Sequence, residues 1–76
     1  MEDLKPLEGL RVKSLKELKK WIENLTNKKV VSIFESESEP IDGSDNMIDY
    51  EFKNNDEVYT IFYLKDNANN YYITEV

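Results

Sequence analysis

The sequence predicts a small α+β domain: one N-terminal helix packed on a four-stranded antiparallel sheet, in the order α-β-β-β-β. Three observations lead there. Apolar residues recur at a helical 3,4 spacing behind Ser14, and the apolar period changes to two after Lys29. Short polar links then separate the segments that follow, which favours antiparallel neighbours.

The helix carries the clearest signal. Ser14 is followed three residues on by Glu17, a capping-box pair in which each side chain can satisfy an orphan N–H of the first turn. Leu15, Leu18, Ile22 and Leu25 fall on one face, with Trp21 on its flank. Asn27 suits the left-handed cap that ends a helix, and Lys28 and Lys29 complement the negative end of the helix dipole. Ahead of the helix, Pro6 and Gly9 interrupt any regular structure, so residues 1–13 read as an N-terminal arm. Its Leu4, Leu7, Leu10 and Val12 could pack on the flank of the domain formed by residues 14–76.

"KVVSIFES" is β-branched and aromatic and reads as a first strand, after which Pro40 and "DGSDN" form a loop. "MIDYEF" alternates, with Ile48, Tyr50 and Phe52 on one side and Asp49 and Glu51 on the other. "VYTIFYLK" and "YYITEV" are the third and fourth strands, entered through the turn sequences "NNDE" and "DNANN". A three-residue loop, Asn54 to Asp56, sets Lys53 opposite Glu57 as a cross-strand ion pair. That register sends Val58, Thr60, Phe62 and Leu64 to the helix side. A four-residue loop, Asp66 to Asn69, then adds Tyr71 and Ile73 to the same side. Asp49, Glu51, Tyr59, Ile61, Tyr63 and Tyr72 are expected on the face away from the helix. A slip of one residue at either turn would invert part of this assignment.

A chain of 76 residues is one domain near the lower end of what folds unaided. With no cysteine and no histidine, it lacks disulfides, thiolate chemistry and the commonest general base and metal ligand. No apolar run approaches the roughly 18 residues that span a membrane. The first ten residues hold acids where a secretory signal needs bases. A cytoplasmic protein without membrane contact is therefore expected.

Charge is the distinctive feature. The net charge is −6, yet residues 1–34 hold eight bases against five acids, while residues 35–76 hold two bases against eleven acids. The stretch "FESESEPIDGSDNMIDYE", Phe34 to Glu51, carries seven carboxylates and no base. In an extended strand, Glu35, Glu37 and Glu39 would line up on one side about 6.5–7 Å apart, of the order of the spacing between neighbouring phosphates. Asp42, Asp45, Asp49 and Glu51 extend the patch. A surface of this kind attracts a basic cleft and speeds encounter with it. The plain alternative is a solvated acidic edge that keeps the sheet from pairing with other chains.

Other chemistries fit less well. An EF-hand loop beginning at Asp42 needs glycine at Met47 and a bidentate glutamate at Lys53, and both positions fail. No metal or cofactor is expected. Lys13, Lys16 and Lys20 form a helical stripe that a nucleic-acid reader would want, but Glu17 and Glu23 share that helix. No residue set suggests catalysis, because abundant carboxylates in a loop lack the burial that raises a catalytic pKa.

The expected function is therefore that of a non-enzymatic acidic protein that binds and inhibits or modulates a larger protein, on a basic, nucleic-acid-binding surface. The candidate partner-binding residues are Glu35, Glu37, Glu39, Asp42, Asp45, Asp49 and Glu51, with Tyr59 and Tyr63 as aromatic anchors. In its general character (small, acidic, cysteine-free, rich in Asn and Tyr) the chain resembles small bacteriophage and mobile-element proteins that act on host or defence machinery. Two alternatives are an immunity or antitoxin-type protein covering a cognate toxin, and a nucleic-acid-binding module using the helix lysines. The chain is expected as a monomer, or as a homodimer if its fourth strand lies at an exposed edge.

Overall fold

The computed structural model describes residues 2–36 and 45–76. Among these are a 3-10 helix (Glu2–Leu7), five strands and one α-helix: β1 (Arg11–Val12), α1 (Leu15–Thr26), β2 (Val30–Glu35), β3 (Asn46–Phe52), β4 (Tyr59–Lys65) and β5 (Tyr71–Glu75). The strands form one antiparallel sheet in the order β1-β5-β4-β3-β2. The α+β class is as the sequence predicts, but the order differs: there is one strand more, and it precedes the helix.

The extra strand comes from the segment read as an arm. Leu4 and Leu7 lie three apart, which is one turn of a 3-10 helix, so both point the same way and both are fully buried. Gly9 takes φ +88, a conformation open to glycine, and its N–H donates to the Ile73 carbonyl at 2.8 Å. The Ile73 N–H in turn donates to the Leu10 carbonyl at 2.9 Å. The chain then runs beside β5, pairing Arg11 with Tyr72 and Val12 with Tyr71. The strand expected at an exposed edge is thus flanked there by β1.

Helix α1 begins and ends where expected. Ser14 Oγ accepts a hydrogen bond from the Glu17 N–H at 3.1 Å, and Asn27 closes the helix at φ 58 with its N–H donated to the Glu23 carbonyl. The return half of the capping box reaches one residue further back: Glu17 Oε2 accepts from the Lys13 N–H at 2.7 Å. Leu18 and Ile22 are buried, and Leu15 and Leu25 pack against the same core. Glu23 ties the helix to the sheet, accepting the Val30 N–H at 2.9 Å. A bulge between Val30 and Ser32 turns Val31 outward, so the start of β2 is blunted as an edge.

Strand β3 buries Ile48, Tyr50 and Phe52, as its alternation predicts. Strand β4 does not follow the expected register. Ile48 pairs with Ile61 and Tyr50 with Tyr59, one residue from the predicted alignment. The connection is longer than three residues, running through Asn54 at φ 62 and a turn in which Asn55 Oδ1 accepts the Glu57 N–H at 2.9 Å. Ile61 and Tyr63 are therefore buried, and Phe62 and Leu64 lie on the opposite side of the sheet. A second one-residue shift at the next turn pairs Tyr63 with Ile73, and the two shifts cancel. Tyr71 and Ile73 consequently reach the core and Tyr72 the other face, as expected.

The register has an energetic signature. Ile61→Ala should lower unfolding free energy by about 2–5 kcal/mol, the range for a fully buried aliphatic side chain cut back in a core. Phe62→Ala should cost less than half of that, despite removing more atoms. Urea unfolding of the two variants measures the difference, and a costlier Phe62 substitution would contradict the alignment.

Candidate partner-binding surface

The sequence-predicted residues separate into three groups. Glu37, Glu39 and Asp42 lie outside the described residues. Asp49 and Glu51 sit on the sheet face away from α1, half-exposed, next to Thr60 and Ser32 on the flanking strands. Asp49 Oδ1 accepts from the Thr60 hydroxyl at 3.1 Å, which fixes the carboxylate above the sheet. Asp45, just before β3, accepts a hydrogen bond from the Thr74 hydroxyl.

Glu35, Tyr59 and Tyr63 behave differently from expectation. Glu35 is opposite Ile48 on β3 and so shares the helix side of the sheet. Its Oε1 accepts from the Tyr63 hydroxyl at 2.9 Å and lies 3.9 Å from Lys65 Nζ. A carboxylate engaged in this way is part of the fold's margin as well as of the charged surface. Tyr63 is only 5% exposed, its ring tilted against Tyr71 at 5.1 Å. Tyr59 stacks on Tyr50 at 5.6 Å and meets the edge of Phe52 at 5.5 Å. Neither tyrosine is on the face away from the helix, so their assignment as exposed anchors there is corrected.

The physical reason is that both alternating sets in "VYTIFYLK" are apolar enough to face a core. The set that turns inward, Tyr59, Ile61, Tyr63 and Lys65, includes polar tips that reach the sheet's margin while their stems and rings are covered. Lys65 Nζ sits 3.8 Å from the centroid of the Tyr71 ring, a cation–π contact. The outward set then holds Thr60, Phe62 and Leu64, and these are the surface residues that alternation alone missed. The Thr60–Asp49 pair was the available signal, since a threonine opposite an aspartate favours the solvated side.

Basic groups lie elsewhere. Lys16 and Lys20 are exposed on α1, which covers the other side of the sheet through Leu18 and Ile22. Arg11 does reach the outward face, at its β1 end, where its guanidinium stacks 4.7 Å over the Tyr72 ring and its Nε lies 3.3 Å from Asp66. The Asp66 carboxyl is held below the ordinary range, first by the Asn70 N–H, with the Asn70 amide, the Ala68 N–H and Arg11 adding to it. Among the described residues, no group of three or more carboxylates is placed to hold a metal ion, and no helix is long and apolar enough to cross a membrane.

Two hydroxyls on the helix side are shifted by their surroundings. Burial, then the neighbouring Tyr59, pushes Tyr50 from 10.0 up to about 12. Tyr63 is raised as well, by burial first and then by its bond to Glu35. Because the folded values exceed the unfolded ones, the stability linked to these groups is complete below pH 10 and is lost as pH rises through the folded values. An alkaline titration should show Tyr50 and Tyr63 ionising only as circular dichroism reports loss of the fold. Ionisation of Tyr50 and Tyr63 near pH 10 in a chain that is still folded would contradict their burial.

Comparisons with known protein families, with curated proteins and with solved structures found no match to this chain.

Proposed function

We propose that this protein is a non-enzymatic binding domain that docks its acidic, sheet-borne side on a larger protein with a basic, nucleic-acid-binding surface, and so inhibits or modulates it. The observation that supports this is the one-sided distribution of charge. Asp49 and Glu51 stand half-exposed on the outward face of β3, with Glu75 across the sheet, while the exposed helix lysines lie on the opposite side. Such a molecule presents a more negative potential to a partner approaching the sheet than to one approaching the helix. Like charges on the sheet side also disfavour phosphate backbones there. Electrostatic steering of this kind raises association rates and is weakened by salt.

The test is an affinity pull-down with the full chain at low and moderate salt, with bound proteins identified by mass spectrometry. The expected result is a basic, nucleic-acid-binding protein retained at low salt, less so at moderate salt, and lost by the doubly reversed variant Asp49→Lys/Glu51→Lys. The reversed variant gives up the Thr60–Asp49 hydrogen bond but should keep the wild-type circular dichroism spectrum, because the core pairs Ile48–Ile61 and Tyr50–Tyr59 still hold the register. Equal recovery of the same protein by the reversed variant would reject the electrostatic docking.

A further inference from the structure

The outward sheet face carries more than charge. Phe34 on β2 pairs with Asp49, and Met47 stands two residues from Asp49 on the same side of β3. Met47 pairs with Phe62 on β4, Leu64 is the next outward residue, and Leu64 pairs with Tyr72 on β5. These five side chains make a diagonal apolar stripe across four strands, since outward neighbours on adjacent strands lie about 4.5–8 Å apart. The stripe is accessible: Phe34 is 47% exposed and Leu64 45%. Among the described residues, the α-helix and the 3-10 helix pack with the core on the other face.

The stripe is bordered by acid. Asp49 and Glu51 flank its β2–β3 end, and Glu75 pairs with Phe62 in its middle. Arg11 reaches this face at its β1 end, and it is already engaged with Tyr72 and Asp66. We infer that the stripe of Phe34, Met47, Phe62, Leu64 and Tyr72 is the contact core for an apolar segment of a partner protein that is flanked by lysine or arginine. This rests on the acidic docking function proposed above and replaces Tyr59 and Tyr63 as its anchors. Large exposed apolar side chains inside a ring of charge are the arrangement from which interface hot spots are built.

Charge selects this occupant over the others. A second copy would bring its own Asp49, Glu51 and Glu75 against the same three carboxylates, on a chain of net charge −6. A nucleic acid or an anionic lipid surface meets the same repulsion, although Phe34, Phe62 and Tyr72 could otherwise stack on bases. Strand addition at the β2 edge is opposed by the bulge at Val31 and by Glu23, which already takes the Val30 N–H. What remains is recognition by the face, with apolar contact supplying affinity and acid supplying orientation.

The test is a titration of the isotope-labelled full chain, followed by amide chemical shifts. The probe is a synthetic amphipathic leucine–lysine peptide. Expected are saturable shifts at Phe34, Met47, Phe62, Leu64 and Tyr72, and affinity weakened about tenfold or more by Phe34→Ser/Leu64→Ser. The control Trp21→Ser, on α1, should bind as the wild type does. Mapping on the wild-type chain stands even if the double variant folds poorly.

Oligolysine binding as tightly as the amphipathic peptide, with shifts at Asp49 and Glu51 alone, would overturn the apolar stripe and leave the acidic docking function standing. Binding by neither peptide would overturn both. A single-stranded oligonucleotide shifting the stripe residues would assign the face to nucleic acid instead. Concentration-dependent stripe shifts without any probe would assign it to a second copy. Either result would overturn the inference.

Discussion

Everything on the two sides of the sheet depends on the alignment of β3 with β4, in which Ile48 lies opposite Ile61. Side chains alternate along a strand, so a one-residue slip would exchange every inward and outward residue of β4. Three contacts from different parts of the chain agree with this alignment. Tyr59 stacks on Tyr50 inside, Tyr63 reaches Glu35 at the sheet's margin, and Thr60 donates to Asp49 outside. Each joins residues that the slipped register would place on opposite faces. Agreement between a core contact, a marginal hydrogen bond and a surface hydrogen bond is what specifies one structure over its near neighbours.

From that alignment follows a division of labour between the faces. The helix side gathers Leu18, Ile22, Ile48, Ile61 and Ile73, and the aromatic rings of Tyr50, Phe52, Tyr59 and Tyr63 close it. The 3-10 helix contributes Leu4 and Leu7 to the same core, so a chain this short gains apolar area from residues that precede its capped helix. The outward side is left with Phe34, Met47, Phe62 and Leu64 among Asp49, Glu51 and Glu75. A solubilising surface needs the carboxylates alone. Large apolar side chains interleaved with them are the feature on which the proposed docking surface rests.

Much of the fold was legible because its signals are local. Ser14 with Glu17, the apolar 3,4 spacing and Asn27 placed α1, and the alternation in "MIDYEF" placed Ile48, Tyr50 and Phe52 in the core. The rest was hidden by longer-range causes. Leu4, Leu7 and Val12 carry no pattern long enough to announce a 3-10 turn and a two-residue strand, and only the partner β5 makes them structure. In β4, both faces of "VYTIFYLK" are apolar, so the register was decided by the turn chemistry of Asn54 and Asn55 and by hydrogen bonds to distant Asp49 and Glu35. The site shared that fate. The acids of β3 were placed by alternation, whereas the aromatic anchors moved to the other side with the slip.

The most direct measurement of the central claim is a set of nuclear Overhauser contacts from the side chains of Ile61 and Phe62. The alignment predicts that the Ile61 methyl groups contact Ile48 and the α1 residues of the core, while the Phe62 ring contacts Met47 and Glu75 and no residue of α1. Contacts from the Phe62 ring to Leu18 or Ile22, with Ile61 facing solvent, would contradict the alignment and remove the outward apolar stripe with it.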